Sequence, residues 1–168
     1  MTRNVVRINK TGRVNCVTAI ALPITARQAW GQLRDFHRYA SHDPFHAGLE
    51  IDGRTPRAGA SLHILHRYGP FRVQRIGKIL RWIEGRQFAY SDLSLRGPRR
   101  GFPHVLKMTV VEQPVGCVLT IQVTGKWTAP TPRWITSLWL RWVMREITQR
   151  TQNRLLEFHL ATRDLRRA

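Results

Sequence analysis

From Val14 to Leu22 apolar and polar side chains alternate. Val14, Cys16, Ile20 and Leu22 fall on one side at period two, the pattern of a half-buried strand, and Pro23 ends it. Thr25 then offers an N-cap hydroxyl ahead of Ala26, Ala29, Trp30 and Leu33, whose spacing predicts a short amphipathic helix over 26–33. Residues 35–45 mix turn formers with aromatics and read as a second short helical turn closing into a loop at Pro44. Six further strands are predicted at 49–52, 61–68, 71–83, 86–93, 104–113 and 118–127, with links short enough to impose a meander. Within 71–83 the alternation breaks: Val73 and Ile79 share one parity, whereas Ile76, Leu80 and Trp82 take the other. A bulge near Gly77 is expected to restore it.

From Pro132 to Asp164 the chain has no Gly and no further Pro, and Ile135, Trp139, Trp142, Val143, Ile147, Leu155 and Phe158 drift along one side. One long helix is predicted there. The order strand, two short helices, six strands and long helix describes an α+β fold, a seven-stranded antiparallel sheet with its helices on one face. With 168 residues, a single domain over 12–164 is expected, flanked by tails at 1–11 and 165–168.

Composition changes this picture in three ways. No apolar run approaches the roughly 20 residues of a bilayer-spanning helix, and Met1 to Lys10 is polar, so a cytoplasmic protein is expected. Cys16 and Cys117 sit in apolar strands without metal-ligand spacing and read as reduced, buried thiols. The net charge of +18 attracts polyanions, either anionic membrane or nucleic acid. Of the 28 basic residues 24 are Arg, however, spread through every element, which favours a solvated surface over one binding patch. Nucleic-acid binding rests on charge alone, since no basic helix carries base-reading spacing.

Several local patterns, taken with the element order, resemble the START/Bet v 1-like (SRPBCC, polyketide cyclase/dehydrase-like) superfamily over residues 12–164. The run AWGQLRDFHRYASHDP resembles its opening helix and Trp-x-Pro turn, with His42 at the Trp position and Asp35, Asp43 and Pro44 keeping the pattern. Gly59 resembles the glycine opening the third strand, and ILRWIEGRQFAYSD the hairpin that follows. Val115, Gly116 and Cys117 resemble the Gly-Thr turn before the last strand, and 132–164 the gripping helix. The resemblance implies a helix-grip fold, a curved sheet around the C-terminal helix, with a cavity used across the superfamily for sterols, lipids, hormones, quinones and polyketides.

Strand parity places Leu62, Ile64 and His66, then Phe88, Tyr90 and Asp92, then Leu106, Met108 and Val110, then Leu119, Ile121 and Val123 on the concave side. Candidate ligand contacts are Ile64, His66, Phe88 and Tyr90; Leu106 and Met108; Leu119, Ile121 and Val123; and Trp139 and Trp142 from the helix. Plain core packing is the competing reading of each. His66, Tyr90 and Asp92 are the candidate catalytic groups, because an imidazole beside a carboxylate can serve as a general base, although strand-end His and Asp also pair structurally. A metal site is not expected: His63, His66 and His104 lack ligand spacing, and His63 and His66 point to opposite faces. Gly97 to Gly101 (GPRRG) lacks phosphate-loop spacing and reads as an exposed turn.

In 132–144, Trp134, Trp139 and Trp142 alternate with Arg133 and Arg141 on a helix that is apolar nearly all round. Trp134, Arg133 and Arg141 are candidate membrane or partner contacts, against the alternative that the indoles plug the sheet or bury a dimer contact. The functional expectation is binding or transport of a hydrophobic small molecule (lipid, isoprenoid/quinone or polyketide-like) without a cofactor, by a monomer or homodimer, in a cytoplasmic protein peripheral to the membrane. The alternatives are a cyclase/dehydratase-type lyase or isomerase using the same cavity, and polyanion binding through the basic surface.

Overall fold

The computed structural model describes residues 2–35, 46–53, 55–68, 71–92 and 102–164. Eight strands occur among them: β1 (Thr2–Ile8), β2 (Arg13–Leu22), β3 (His46–Ile51), β4 (Ser61–Tyr68), β5 (Phe71–Ile83), β6 (Gln87–Ser91), β7 (His104–Glu112) and β8 (Cys117–Lys126). Helix α1 (Ala26–Leu33) follows β2, and α2 (Arg133–Asp164) follows β8. They form one antiparallel sheet in the order β1-β2-β8-β7-β6-β5-β4-β3, in which β3 to β8 make the expected meander and β2 returns to pair with β8. Residues 36–45 of the second short helical turn expected at 35–45, and the Gly97 to Gly101 turn, lie outside the described residues. No helix among the described residues is long and apolar enough to cross a membrane.

The sheet has eight strands rather than seven, because the segment expected to be an N-terminal tail is β1. It zips onto β2 from Thr2 opposite Ile20 to Ile8 opposite Val14. Its apolar alternation is thin, and the turn supplies what alternation does not. Asn9 Oδ1 accepts from Thr11 N–H (3.0 Å), the Thr11 hydroxyl (2.8 Å) and Arg13 N–H (2.8 Å), a side-chain turn that sets the hairpin register.

Helix α1 starts on the expected cap, here a full capping box. Thr25 Oγ1 accepts from Gln28 N–H (3.2 Å), and Gln28 Oε1 accepts from Thr25 N–H (3.0 Å). Trp30 Nε1–H (2.8 Å) and Trp82 Nε1–H (3.0 Å) both donate to Glu84, which also meets Arg34 at 2.9 Å, tying α1 to the β5–β6 turn. Gly31 lies on the exposed side of α1 with nothing near its missing Cβ. Gly31→Ala is therefore expected to raise stability by about 0.5–1 kcal/mol in urea unfolding.

All twelve side chains assigned inward from β4, β6, β7 and β8 are buried. The bulge in β5 falls at Leu80, where Ile79 pairs with Tyr90 and Arg81 with Ala89, and not at Gly77. Arg75, Gly77 and Ile79 consequently face inward, and Ile76 and Leu80 outward. The buried stripe of α2 runs through Thr136, Leu140, Val143, Met144, Ile147, Thr151 and Leu155, leaving Ile135, Trp142 and Phe158 exposed. The expected face is thus rotated: the bulky apolar residues of α2 outnumber the places on its inner stripe, and the 3.6-residue period selects Leu140 and Met144 over Trp142. Both cysteines are free and buried, and burial pushes each thiol up to about 11, too high for thiolate chemistry near neutrality.

Candidate functional site

Asp92, one residue beyond β6, follows Phe88 and Tyr90 onto the concave face and is fully buried. Its position is fixed by the β6–β7 ladder: its N–H donates to His104 O (3.0 Å), and its Oδ1 accepts from His104 N–H (2.7 Å). Three side chains converge on Oδ2: His66 Nε2 at 3.2 Å from β4, Arg75 at 3.3 Å from β5 and His104 Nδ1 at 3.3 Å from β7. His46, at the start of β3, lays its ring 4.8 Å from that of His66. One carboxylate therefore gathers the same end of β4, β5 and β7, with β3 stacked beyond.

The protonation pattern follows from these partners. For Asp92, burial favours the neutral acid but is outweighed by the charge of His104, hydrogen bonds from His66 and the His104 N–H, and Arg75, so the carboxyl is held below its ordinary range. For His66 burial dominates over the hydrogen bond to Asp92, and its pKa falls below the usual 6.5. Neutral His66 then commits Nε2–H to Asp92, which leaves Nδ1 as its basic atom. His104 Nδ1 lies 2.9 Å from Phe102 O, a pure acceptor, and so carries its hydrogen there.

Unfolding returns His66 to about 6.5 and Asp92 to about 3.8. Below each of these values the unfolded chain takes a proton that the folded chain resists. Both contributions are therefore present at neutral pH; that of His66 is lost as pH falls below 6.5 and that of Asp92 as it falls below 3.8. Urea unfolding is expected to show stability dropping between pH 7.5 and 5.5 with a slope reduced in His66→Phe, by at most about 1.4 kcal/mol per pH unit. Equal slopes would remove His66 from the account.

The three histidines border a small cavity of ≈ 40 Å³ between the sheet and α2. Phe102, Leu106 and Val123 line its sheet side, and Trp139, Leu140, Val143, Met144 and Ile147 its helix side. Aromatic rings run from the helix to the histidines: Trp139 to Trp127 at 5.2 Å, Trp127 to Phe102 at 5.8 Å, and Phe102 stacked on His104 at 5.0 Å.

Of the side chains named from sequence, His66, Leu106, Val123 and Trp139 line this cavity, and Asp92 holds His66 from behind. Ile64, Phe88, Tyr90, Met108, Leu119 and Ile121 are core residues outside its wall, and Trp142 lies on the exposed side of α2. Tyr90, paired with Ile79 and Leu106 across the ladder, stacks on Phe88 at 6.4 Å. His63 turns outward to Asp52 at 3.1 Å, on the opposite face from His66. Arg133, Trp134 and Arg141 are exposed. Among the described residues no group of three His, Cys, Asp or Glu is placed to hold a metal ion.

His46, Arg75, Phe102 and His104 were not among the candidate site residues. His104 shares the parity of Leu106 and Met108, so the signal was present. His46 lies outside the strand expected at 49–52, because β3 starts three residues earlier, and a bulge between His46 and Gly48 turns both His46 and Leu49 inward although they are three residues apart.

By sequence, no family profile and no curated protein matches the chain. By structure it is similar to the di-domain ARO/CYC StfQ from the steffimycin biosynthetic pathway, with a TM-score of 0.70, 13% identity and 89% of this chain covered. The chain spans about half of that protein, 53% of its length. A START superfamily protein from Mycobacterium smegmatis matches with a TM-score of 0.69 at 13% identity, over 86% of this chain and 98% of the other. Ara h 8.0201 matches with a TM-score of 0.64 at 14% identity, over 87% and 99%. At such identities the likeness is one of fold.

Proposed function

From a chain with the START/Bet v 1-like helix-grip fold, we propose binding or transport of a small, largely apolar molecule, seated between the sheet and α2 with a polar group against His46, His66 and His104. The observation that carries this reading is the joining of an apolar cavity wall to a buried, charge-compensated histidine cluster at one end. Apolar walls with a few converging polar groups are the usual make-up of a small-molecule site. Lipids, isoprenoid quinones and polyketide-like compounds bearing a carbonyl or hydroxyl fit that description.

The cavity as it stands holds only two or three waters, against several hundred Å³ for a typical ligand pocket. Binding therefore requires enlargement, and the two walls are not equally able to move. The sheet wall is a continuous hydrogen-bonded ladder, whereas Trp139, Leu140, Val143 and Met144 meet it through apolar contacts, which are non-directional. The backbone of α2 comes closest to β1 and β2.

A second reading, cyclase or dehydratase chemistry on a polyketide-like substrate, is favoured by one observation: Asp92 orients His66 as an acceptor through Nδ1, the arrangement of a general base. Titration with the neutral apolar fluorophore N-phenyl-1-naphthylamine tests the binding reading. Saturable fluorescence enhancement is expected, with affinity reduced roughly tenfold in Val143→Trp, a bulkier wall residue, and unchanged in Glu157→Gln on the exposed side of α2. Equal binding by all three would place the probe elsewhere. In the catalytic reading His66→Asn abolishes turnover and preserves binding.

A further inference from the structure

The N-terminal half of α2 carries a second apolar face that the cavity does not use. Trp134 and Leu138 are 66% and 60% exposed, and Ile135 and Trp142 beside them are also exposed. The helix start is tied to the end of β8, with Trp127 Nε1–H donating to Thr131 Oγ1 (2.7 Å) and Thr131 bonded to Thr136 (2.9 Å), so these side chains project from a fixed base. Trp134, Leu138 and Trp142 follow one another at intervals of four residues and share a helix face. Arg141 and Arg145, also exposed, fall within the same sector.

Large apolar side chains grouped on a surface mark a contact site, and the charge around them selects its occupant. Residues 133–150 contain four arginines and a single acid, Glu146, which is paired with Arg150 at 3.5 Å. The whole chain carries +18. An apolar protein face would satisfy the indoles and leave the guanidinium groups uncompensated. An anionic bilayer satisfies both, because indoles settle in the headgroup layer and guanidinium pairs with phosphate. We propose that this face of α2 docks on an anionic lipid surface, with Trp134, Leu138 and Trp142 in the headgroup layer and Arg141 and Arg145 on lipid phosphates. The docking face lies on the helix that also walls the cavity, but the proposal stands apart from any ligand within.

Co-sedimentation with vesicles of phosphatidylcholine, alone or mixed with phosphatidylglycerol, tests it on the full chain. The protein is expected to bind the anionic vesicles, to bind less as salt rises, and to shift its Trp emission to the blue on binding. The double variant Trp134→Ser, Leu138→Ser is expected to lose roughly tenfold or more in vesicle affinity while its unfolding midpoint stays unchanged, since both side chains are exposed. Arg141→Gln with Arg145→Gln should weaken binding and flatten its salt dependence. The proposal fails if the protein ignores anionic vesicles, or if the Ser variant binds as well as the parent, which would assign binding to the diffuse basic surface. It also fails if light scattering finds a dimer that the Ser variant converts to monomer, which would make the face a self-association surface.

Discussion

Asp92→Ala is expected to lower stability by about 3–5 kcal/mol, the largest single-residue effect at the site, with the melting temperature falling by roughly 10 °C or more. The carboxylate is fully buried, and the substitution takes a counter-charge away from the Arg75 guanidinium, itself buried. It also removes the acceptor for the His104 N–H and for His66. The cost lies mainly in the partner left behind, so a second change should recover much of it. Asp92→Ala combined with Arg75→Met replaces the pair by apolar atoms and is expected to be clearly more stable than Asp92→Ala alone. If the double variant is as unstable as the sum of the single ones, the carboxylate acts chiefly through the histidines.

Gly77→Ala is expected to cost roughly 3 kcal/mol or more, an unusual penalty for one methyl group. An added Cβ would lie 1.8 Å from the Ser91 carbonyl oxygen and 3.2 Å from Ile64 Cδ1, so β5 and β6 would have to part beside Arg75 and Asp92. The control is Gly48→Ala in β3, where the new Cβ would meet only Leu65 Cβ at 3.9 Å. That change is expected to stay within about 1 kcal/mol of the parent in the same urea titration. Similar losses at both positions would mean that glycine flexibility, and not the close approach of β6, is what Gly77 provides.

The two glycines also show where the sequence could be read and where it could not. Strand parity was reliable wherever a strand ran without a bulge. In β7 and β8 every assigned inward residue is buried, and the His66–Asp92 pair was found because β4 and β6 keep regular alternation up to their ends. Two bulges defeated the same reasoning. The one at Leu80 decides that Arg75 faces the core, and the one between His46 and Gly48 decides that His46 does. A bulge is set by how two strands meet, which one strand's pattern does not contain. β1 was missed because its stability comes from the Asn9 turn and its pairing to β2, with little apolar alternation of its own. On α2 the period was right and the phase wrong, since a helix with apolar residues nearly all round does not announce which stripe meets the sheet.

Native mass spectrometry of the purified protein, followed by extraction of whatever accompanies it, tests the central claim most directly. The account predicts a one-to-one complex with an apolar molecule bearing a polar group, greatly diminished in Val143→Trp and retained in the Trp134→Ser, Leu138→Ser variant, whose docking face lies outside the cavity. A protein carrying no small molecule, or carrying one equally well in Val143→Trp, would contradict it.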